Sequence, residues 1–350
     1  RYKLISKGLF ACNPMHVGRD ERLPIALYEE ANPAIVSPAY FMFEIIDHAI
    51  LNEEYLMMWF RRPEFDRECW FMTDGSVRGG ITWDDLCRIK LPVPSYMRQC
   101  EIVESYRTIT NRIALKRAEN DNLAKTIKAV FKSWFLDFDA FDGVELVQSQ
   151  YGLIPNGWHY ELLGNLCDCV TKGTTPTTLG KDFTDTGINF IKGESINDDH
   201  SFNKALFAHI DDKTDELLKR SRIYVNDIVF TIAGTLGKFA LVDSSVVPAN
   251  TNQAVAIIRT SKITPTMLYS YFIGEWQVEF YKRNTQQAVQ ANLSLGTIKD
   301  LPILLPDSKG QDHYMQLVTP LIVGMQNNFS EIERLYGLQN QLLARLSSSR

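Results

Sequence analysis

One stretch of this chain occurs twice, and that repeat limits what the chain can fold into. The segment ITWDDLCRIKLPVP (residues 81–94) recurs as LSLGTIKDLPILLP (residues 293–306), with apolar residues at matching places and Pro94 in the position of Pro306. Each copy has the composition of a strand-forming segment, and a long stretch of helical sequence follows each one. Because a repeat of a whole supersecondary unit determines the architecture, we expect two equivalent modules in one chain.

Both stretches that follow the repeat have the spacing of a coiled coil. Apolar residues recur at alternating intervals of four and three, and both stretches keep the same phase, which two unrelated amphipathic helices would not need. The predicted seam includes Ile102, Ile109, Ile113, Leu123 and Ile127 in the first stretch and Leu321, Ile332, Leu335 and Leu342 in the second. Each seam is about 50 Å long at 1.5 Å per residue. A helix of that length needs a partner of similar length, so we expect the two helices to pair, in either direction.

The residues between the two helical stretches predict a separate mixed domain. Three runs read as strands, because they are rich in β-branched residues and bounded by Gly, Asn and Asp: 187–196, 227–243 and 252–260. A helical pattern follows over residues 264–283. The start of the chain repeats only the later part of this plan and has no counterpart of the PNGW opening at 155–158. We therefore expect the first domain to lack its N-terminal part.

These patterns predict an α+β protein with two α/β domains, each followed by a long helix, and the two helices paired as a coiled coil. The predicted boundaries are 1–97 for the first domain, 98–136 for its helix, 137–151 for an acidic linker, 152–308 for the second domain and 311–347 for its helix.

The composition is that of a globular protein without a membrane span. Of the 350 residues, 45% are apolar, yet no run of about 18 apolar residues occurs, and no secretory signal opens the chain. The six cysteines lack the spacing of a zinc site, apart from one C-x-C at Cys167 and Cys169. We expect reduced thiols, no bound metal, no membrane partner and a cytoplasmic location.

Nothing in the sequence predicts catalysis. The NPM triplet at 13–15 lacks the second proline and the aromatic residue of an adenine-methyltransferase loop, and GTLGK at 234–238 is too short for a phosphate-binding loop. The six histidines have no neighbouring nucleophile or second metal ligand at helical spacing. A binding protein fits these observations better than an enzyme, although an unrecognised catalytic cluster stays an alternative.

Two domains carried on a rod suit a linear ligand such as duplex DNA, although the net charge is −5. Amides and Arg read base edges, whereas Lys and hydroxyls contact phosphates. The candidate DNA-binding residues are Arg19, Ser76, Arg78, Lys172, Thr174, Thr175, Lys192, Lys238, Gln287, Gln290 and Asn292. Gln287, Gln290 and Asn292 precede the second copy of the repeat, and Ser76 and Arg78 precede the first.

Taken together, these residues resemble the specificity (S) subunits of type I restriction–modification systems. The resemblance is carried by the opening from Pro155 to Pro176, by DIVFTIAGTLG (227–237), by the L…I…LPILLP segment that ends at Pro306 and by a long helix after each such segment. It implies that the two α/β domains are target recognition domains, each of which reads one half of a bipartite DNA sequence. It also implies that the two helices pack antiparallel as a spacer.

The resemblance further implies the partners of the chain. Two modification (M) subunits would dock on the helices and methylate adenine with S-adenosylmethionine, and restriction (R) subunits would add ATP-driven, Mg-dependent translocation and cleavage. No cofactor is then expected in this chain itself, which would be non-catalytic. The alternative function is a coiled-coil scaffold or decoy that binds such subunits without reading DNA.

Overall fold

The computed structural model describes residues 2–15, 17–73, 79–141, 143–279 and 294–346. The chain divides into two compact units. Unit 1 comprises Arg1–Lys116 and Ser330–Arg350, and unit 2 comprises Arg117–Phe329, so both long helices contribute to both units. No described helix is long and apolar enough to cross a membrane.

The described residues of unit 1 form small antiparallel sheets and four short helices. Its strands are β1 (Lys3–Ile5), β2 (Phe10–Cys12), β3 (Ile25–Leu27), β4 (Ala34–Val36) and β5 (Phe41–Phe43), and its short helices are α1 (Val17–Asp20), α2 (Glu53–Phe60), α3 (Pro63–Phe71) and α4 (Trp83–Arg88). Strand β2 lies between β3 and β5, and β1 pairs with β4. Alternating apolar residues on β2 bury Phe10 and Cys12 against α2 and α3, where Tyr55 and Phe65 complete the core.

Unit 2 is larger, and its described residues form more strands than those of unit 1. Its strands are β6 (Leu146–Ser149), β7 (Gly152–Pro155), β8 (His159–Leu162), β9 (Cys167–Lys172), β10 (Ile188–Ile191), β11 (Ala208–Ile210), β12 (Ile228–Thr231), β13 (Phe239–Leu241), β14 (Ala249–Thr251), β15 (Val255–Thr260) and β16 (Pro302–Leu305). Its short helices are α6 (Asp212–Leu217), α7 (Pro265–Ile273) and α8 (Leu295–Lys299). The main sheet has the order β13-β12-β15-β9, a second sheet has the order β11-β10-β14, and β16 pairs with β8.

The long helices are α5 (Tyr96–Phe135) and α9 (Ser308–Leu346), and they run antiparallel in each unit. In unit 1, Gln339 Nε2 donates to Thr110 Oγ1 at 2.8 Å, which places the end of α9 beside the first half of α5. In unit 2, Trp134 near the end of α5 lies 5.2 Å, ring to ring, from Tyr314 near the start of α9. The predicted fold class is confirmed, and the pairing is antiparallel, as the resemblance implied.

The predicted seam positions lie on the faces of α5 and α9 that are away from solvent. Buried residues among them are Ile113, Ile127 and Ile332, whereas Ile102, Ile109, Leu123, Leu321, Leu335 and Leu342 are partly buried. Because heptad positions share one face of a helix, they are covered together.

The repeat is visible as matched helix starts. Asn52 and Thr264 cap α2 and α7, and Thr82 and Ser294 cap α4 and α8. The members of each pair have the same separation along the chain as the two copies of the repeated segment, and so do the first residues of the two long helices. The strand order β3-β2-β5 likewise matches β13-β12-β15.

The two repeated segments correct the strand expectation for residues 81–94 and 293–306. A capped short helix, α4 or α8, occupies the first half of each described segment. Only the second copy continues into a strand, β16, which pairs with β8. The described residues of the first copy include no strand after α4.

Two further expectations differ from the structure. The predicted linker 137–151 contains strand β6, and Phe141 within it packs edge-on against Trp158 at 5.2 Å, because the acidic run also carries aromatic residues. The helix expected over 264–283 breaks after α7, at Gly274 and Glu275. The φ angle of Glu275 is 58°, and a Cβ at Gly274 would come within 2.2 Å of the Phe131 ring.

Candidate nucleic-acid interface

Four loops of unit 2 meet at one edge of its sheets. They are the segment after β9 (173–175), the segment after β10 (192–195), the turn between β12 and β13 (232–238) and the turn between β14 and β15 (252–254). The last two are joined by a hydrogen bond from the Ile232 N–H to the Ala254 carbonyl at 2.8 Å. Polar side chains from distant parts of the sequence therefore share one surface.

Gly173 fixes the contact between the first and the last of these loops. Its N–H donates to the Asn252 carbonyl at 3.1 Å. A Cβ at Gly173 would lie 1.7 Å from the Thr251 carbonyl oxygen, so no larger residue fits. Thr251 in turn donates its hydroxyl to the Ile191 carbonyl at 2.7 Å, which ties β14 to the end of β10.

Three of the predicted lysines lie on these loops, in different electrostatic settings. Lys172 is exposed at the end of β9, and no described residue forms an ion pair with it. Lys192 places its ammonium 4.8 Å from the centre of the Phe183 ring. Lys238 pairs with Asp198 at 2.9 Å, so its charge is already balanced. Lys172 and Lys192 are therefore the better phosphate candidates.

The predicted hydroxyls Thr174 and Thr175 are partly buried on the same surface. Thr175 Oγ1 donates to Oε1 of the exposed Gln253 at 2.6 Å. Asn252 accepts from the Ala254 N–H through its Oδ1 at 3.0 Å, which shapes the turn that carries Gln253. The sequence reasoning missed Asn252 and Gln253, although the polar run NTNQ (250–253) directly before a strand could have indicated them.

A buried polar network supports this surface from below. Asn250 Nδ2 donates to Asp215 Oδ1 at 3.0 Å, and Ser221 Oγ donates to Asn250 Oδ1 at 2.7 Å. Arg259 forms two hydrogen bonds with the buried Asp227, at 2.7 and 2.8 Å. Buried polar groups that are fully partnered hold one arrangement, so this network fixes the base of the 250–254 turn.

His200 stacks on Phe239, the residue after Lys238, with ring centres 4.1 Å apart. Burial lowers the pKa of its imidazole, while the neighbouring Asp199 opposes the shift. Among the described residues, neither Nδ1 of His200 nor the hydroxyl of the buried Tyr269 has a hydrogen-bond partner. The ring is therefore held by its packing on Phe239 and not by a hydrogen bond from Nδ1.

The other predicted DNA contacts are placed elsewhere or lie outside the described residues. Arg19 is on α1 of unit 1, where its guanidinium pairs with the adjacent Asp20 at 2.6 Å. It is not part of the surface in unit 2. The predicted contacts outside the described residues are Ser76, Arg78, Gln287, Gln290 and Asn292.

The described cysteines are free, and their surroundings differ from those of a metal site. Burial raises the pKa of Cys12 to about 12 and that of Cys167 to about 12, so both stay protonated near neutral pH. Among the described residues, no group of three or more His, Cys, Asp and Glu side chains could hold a metal ion.

Comparison with known families shows which protein family contains this surface. Residues 155–329, half of the chain, match the type I restriction modification DNA specificity domain. This chain belongs to that family. The matched region contains all four loops of the candidate interface, and the resemblance stated from the sequence is confirmed.

Curated type I specificity subunits are related along much of this chain. The MjaIX specificity subunit of Methanocaldococcus jannaschii is 22% identical over 299 residues, which cover 84% of this chain and 68% of that protein. The HindI specificity subunit of Haemophilus influenzae is 22% identical over 329 residues, covering 76% and 70%. The EcoBI specificity subunit of Escherichia coli is 23% identical over 273 residues, covering 74% of this chain and 55% of that protein.

Solved structures of S subunits align with nearly the whole chain at low overall similarity. The HsdS subunit from Thermoanaerobacter tengcongensis is 15% identical, with a TM-score of 0.36, and the alignment covers 98% of this chain and 81% of that one. The S subunit from M. genitalium is 12% identical, with a TM-score of 0.48, and the alignment covers 99% and 84%.

Proposed function

We propose that this chain is the DNA-recognition subunit of a type I restriction–modification complex, and that each of its two units reads one half of a bipartite duplex target. One observation carries the proposal. The specificity-domain match over residues 155–329 contains all four loops of the polar surface in unit 2. That surface combines the donors and acceptors of a base-reading site with cations for the backbone.

The chemistry of the surface suits recognition of duplex DNA. Lys172 and Lys192 supply positive charge for phosphates, and Thr174 adds a hydroxyl. Gln253 adds an exposed amide, the group that reads base edges in the major groove. These groups bind and orient DNA, so methylation and cleavage belong to partner subunits.

The antiparallel helices α5 and α9 would set the gap between the half-sites and dock two modification subunits. Those subunits would bind S-adenosylmethionine, and restriction subunits would bind ATP and Mg. This chain would then be non-catalytic and need no cofactor of its own. The relatives that support this assignment are specificity subunits of type I restriction enzymes.

The net negative charge of the chain can be tested against DNA affinity, measured with and without the partner subunits. The net charge of −5 predicts that the partner subunits supply many of the phosphate contacts. DNA affinity should therefore rise when methyltransferase subunits are added, and its dependence on salt should become steeper. Full affinity and a full salt dependence of the chain alone would contradict this assignment of the contacts.

The decisive experiment is methylome sequencing of a host that carries the chain with its methyltransferase subunits. We expect a bipartite motif with methylated adenine. Exchange of residues 155–300 for those of a relative with another target should change one half of the motif and keep the other. Absence of any methylated motif, or a change in both halves, would contradict the proposal.

A further inference from the structure

The hydrogen bond between Thr175 and Gln253 places an amide on the recognition surface in a defined orientation. Gln253 is exposed at the tip of the 252–254 turn, and its Oε1 accepts from Thr175 Oγ1 at 2.6 Å. Among the described residues, the amide nitrogen of Gln253 has no hydrogen-bond partner. One side of the amide is therefore anchored, and the other faces outward.

The backbones that carry both residues are fixed to each other. Gly173, two residues before Thr175, donates to the carbonyl of Asn252, the residue before Gln253, at 3.1 Å. The absence of a side chain at Gly173 permits this approach, because a Cβ would meet Thr251 at 1.7 Å. A glutamine normally loses considerable rotamer entropy when it is ordered. Here much of that entropy is already lost before a ligand binds.

The anchored amide has the complement of one base edge. The Thr175 hydroxyl occupies one lone pair of Oε1, which leaves one acceptor beside two Nε2–H donors. In the major groove, adenine offers an N6–H donor next to the N7 acceptor, whereas guanine offers two acceptors. Of these two bases, only adenine can bind the amide through both atoms at once, with Oε1 accepting from N6–H and Nε2 donating to N7.

Nearby cations can hold a duplex against this amide. Lys172 pairs across the sheet with Ala256, three residues after Gln253. Lys192 follows Ile191, which is in register with Thr251, two residues before Gln253. Lys172 at the end of β9 and Lys192 just after β10 therefore follow strands paired with those on either side of the Gln253 turn, where phosphate contacts would fix the position of the amide on the duplex.

We propose that Gln253, oriented by Thr175, reads an adenine in the half-site bound by unit 2, an inference that rests on the proposed function. Gln253 is the specificity-determining residue and Thr175 is its positioning residue. Replacement of the amide should relax the preference at one base pair and leave the other positions of the motif intact.

The test uses the full chain assembled with methyltransferase subunits and a duplex library randomised over both half-sites. In Q253A, the preference for one A·T pair in the unit 2 half-site should fall roughly 10- to 100-fold. Q253E keeps an acceptor for Thr175 but loses the Nε2 donors, so it should lose the adenine preference as well. T175V should weaken the same preference by a smaller factor. Gln150, exposed in the β6–β7 turn, provides the matched control, and Q150A should keep the whole motif.

Three outcomes would overturn the inference. They are an unchanged motif in Q253A, a uniform loss of binding to all sequences, and a loss of preference at a G·C pair. Equal thermal unfolding of wild type and Q253A excludes a folding defect as the cause. If the wild-type complex selects no motif at all, the proposed function fails, and this outcome is distinct from selection by wild type that Q253A leaves unchanged.

Discussion

Asn328 donates from Nδ2 to Oδ1 of Asn120 at 2.8 Å, and both side chains are almost fully buried between α5 and α9. Asn120 also donates to the Met325 carbonyl at 3.4 Å. The pair is a buried polar contact, with apolar residues such as Met325 and Ile332 on neighbouring turns of the second helix. Because polar residues at seam positions pair best with each other, this contact selects one register of the two helices.

The first prediction concerns this pair. In N328L, the buried oxygen of Asn120 loses its donor, so the free energy of unfolding should fall by about 1–3 kcal/mol. The double variant N120L/N328L removes both groups and should recover most of that loss. Urea unfolding of the four proteins as a double-mutant cycle measures the coupling. Additive losses in the double variant would contradict the prediction.

The second prediction compares two glutamines at equivalent repeat positions. Gln99 is fully buried, accepts from the Asn52 N–H and donates to the carbonyls of Ile50 and Pro94, each at 2.8 Å. Gln311 is partly buried and donates to the Pro306 carbonyl at 2.9 Å. With about 1 kcal/mol per hydrogen bond, Q99L should cost about three times as much stability as Q311L.

Chemical denaturation followed by tryptophan fluorescence measures both glutamine variants. Q99E and Q311E serve as controls of similar size that retain an acceptor. Equal losses for Q99L and Q311L would mean that the extra bonds of Gln99 add nothing to stability.

The third prediction contrasts two glycines. G173A forces a Cβ against the Thr251 carbonyl, so the two loops must separate, and we expect a loss of at least about 2 kcal/mol together with loss of sequence selectivity. G337A lies on α9 with no atom within 4 Å of the added carbon, so it should raise stability by about 0.5–1 kcal/mol. Thermal unfolding by circular dichroism distinguishes the two. If G173A keeps the stability and the sequence selectivity of the wild type, the close approach of the loops is dispensable.

The fourth prediction is a pH dependence from His200. Burial lowers the pKa of its imidazole below the ordinary value of 6.5. The unfolded chain therefore takes up the proton first as the pH falls, and the free energy of unfolding decreases below about pH 6.5. The φ angle of His200 is 68°, which Asn tolerates, so H200N should remove this part of the pH dependence. The test compares the urea midpoints of wild type and H200N at pH 7.5 and 5.5. If the midpoint falls by the same amount between these pH values in both proteins, the prediction is wrong.

The fifth prediction concerns the length of the helix pair. Insertion of one heptad into each long helix, after residue 116 and after residue 329, lengthens the pair by about 10 Å. At about 3.4 Å per base pair, the gap between the half-sites should grow by about three base pairs. The Lys116–Glu331 contact at 3.6 Å places the two insertion points close together. Insertion into one helix alone should abolish recognition of the bipartite motif. If the double insertion leaves the gap between the half-sites unchanged, the spacer role is contradicted.

The long helices were predictable because a heptad pattern sustained over so many turns has no competing interpretation. The predicted start at residue 98 lies two residues from the observed start of α5 at Tyr96. The short repeated segment was less certain, since brief apolar runs suit either a strand or a helix. Its capping pattern, Thr82 followed by Asp85, was the overlooked sign of a helix, and Thr82 indeed caps α4.

The pairing at the candidate site could not be predicted from the sequence. Thr175 was selected for its hydroxyl, yet its partner Gln253 is 78 residues away along the chain. No periodicity connects two loops, and their contact depends on strand pairing and on the space left by Gly173. Lys238 was selected for its charge, and only the structure shows that Asp198 balances it.

The matched helix starts in the two copies have a consequence for how such chains diversify. The capped helices and the long helices keep the same spacing in both copies, whereas the strand regions before them differ in sequence and in strand content. Mutation or recombination can therefore replace the reading surface of one copy without moving the start of the helix behind it. New DNA targets then become accessible in single steps, while the helical scaffold behind the reading surface stays the same.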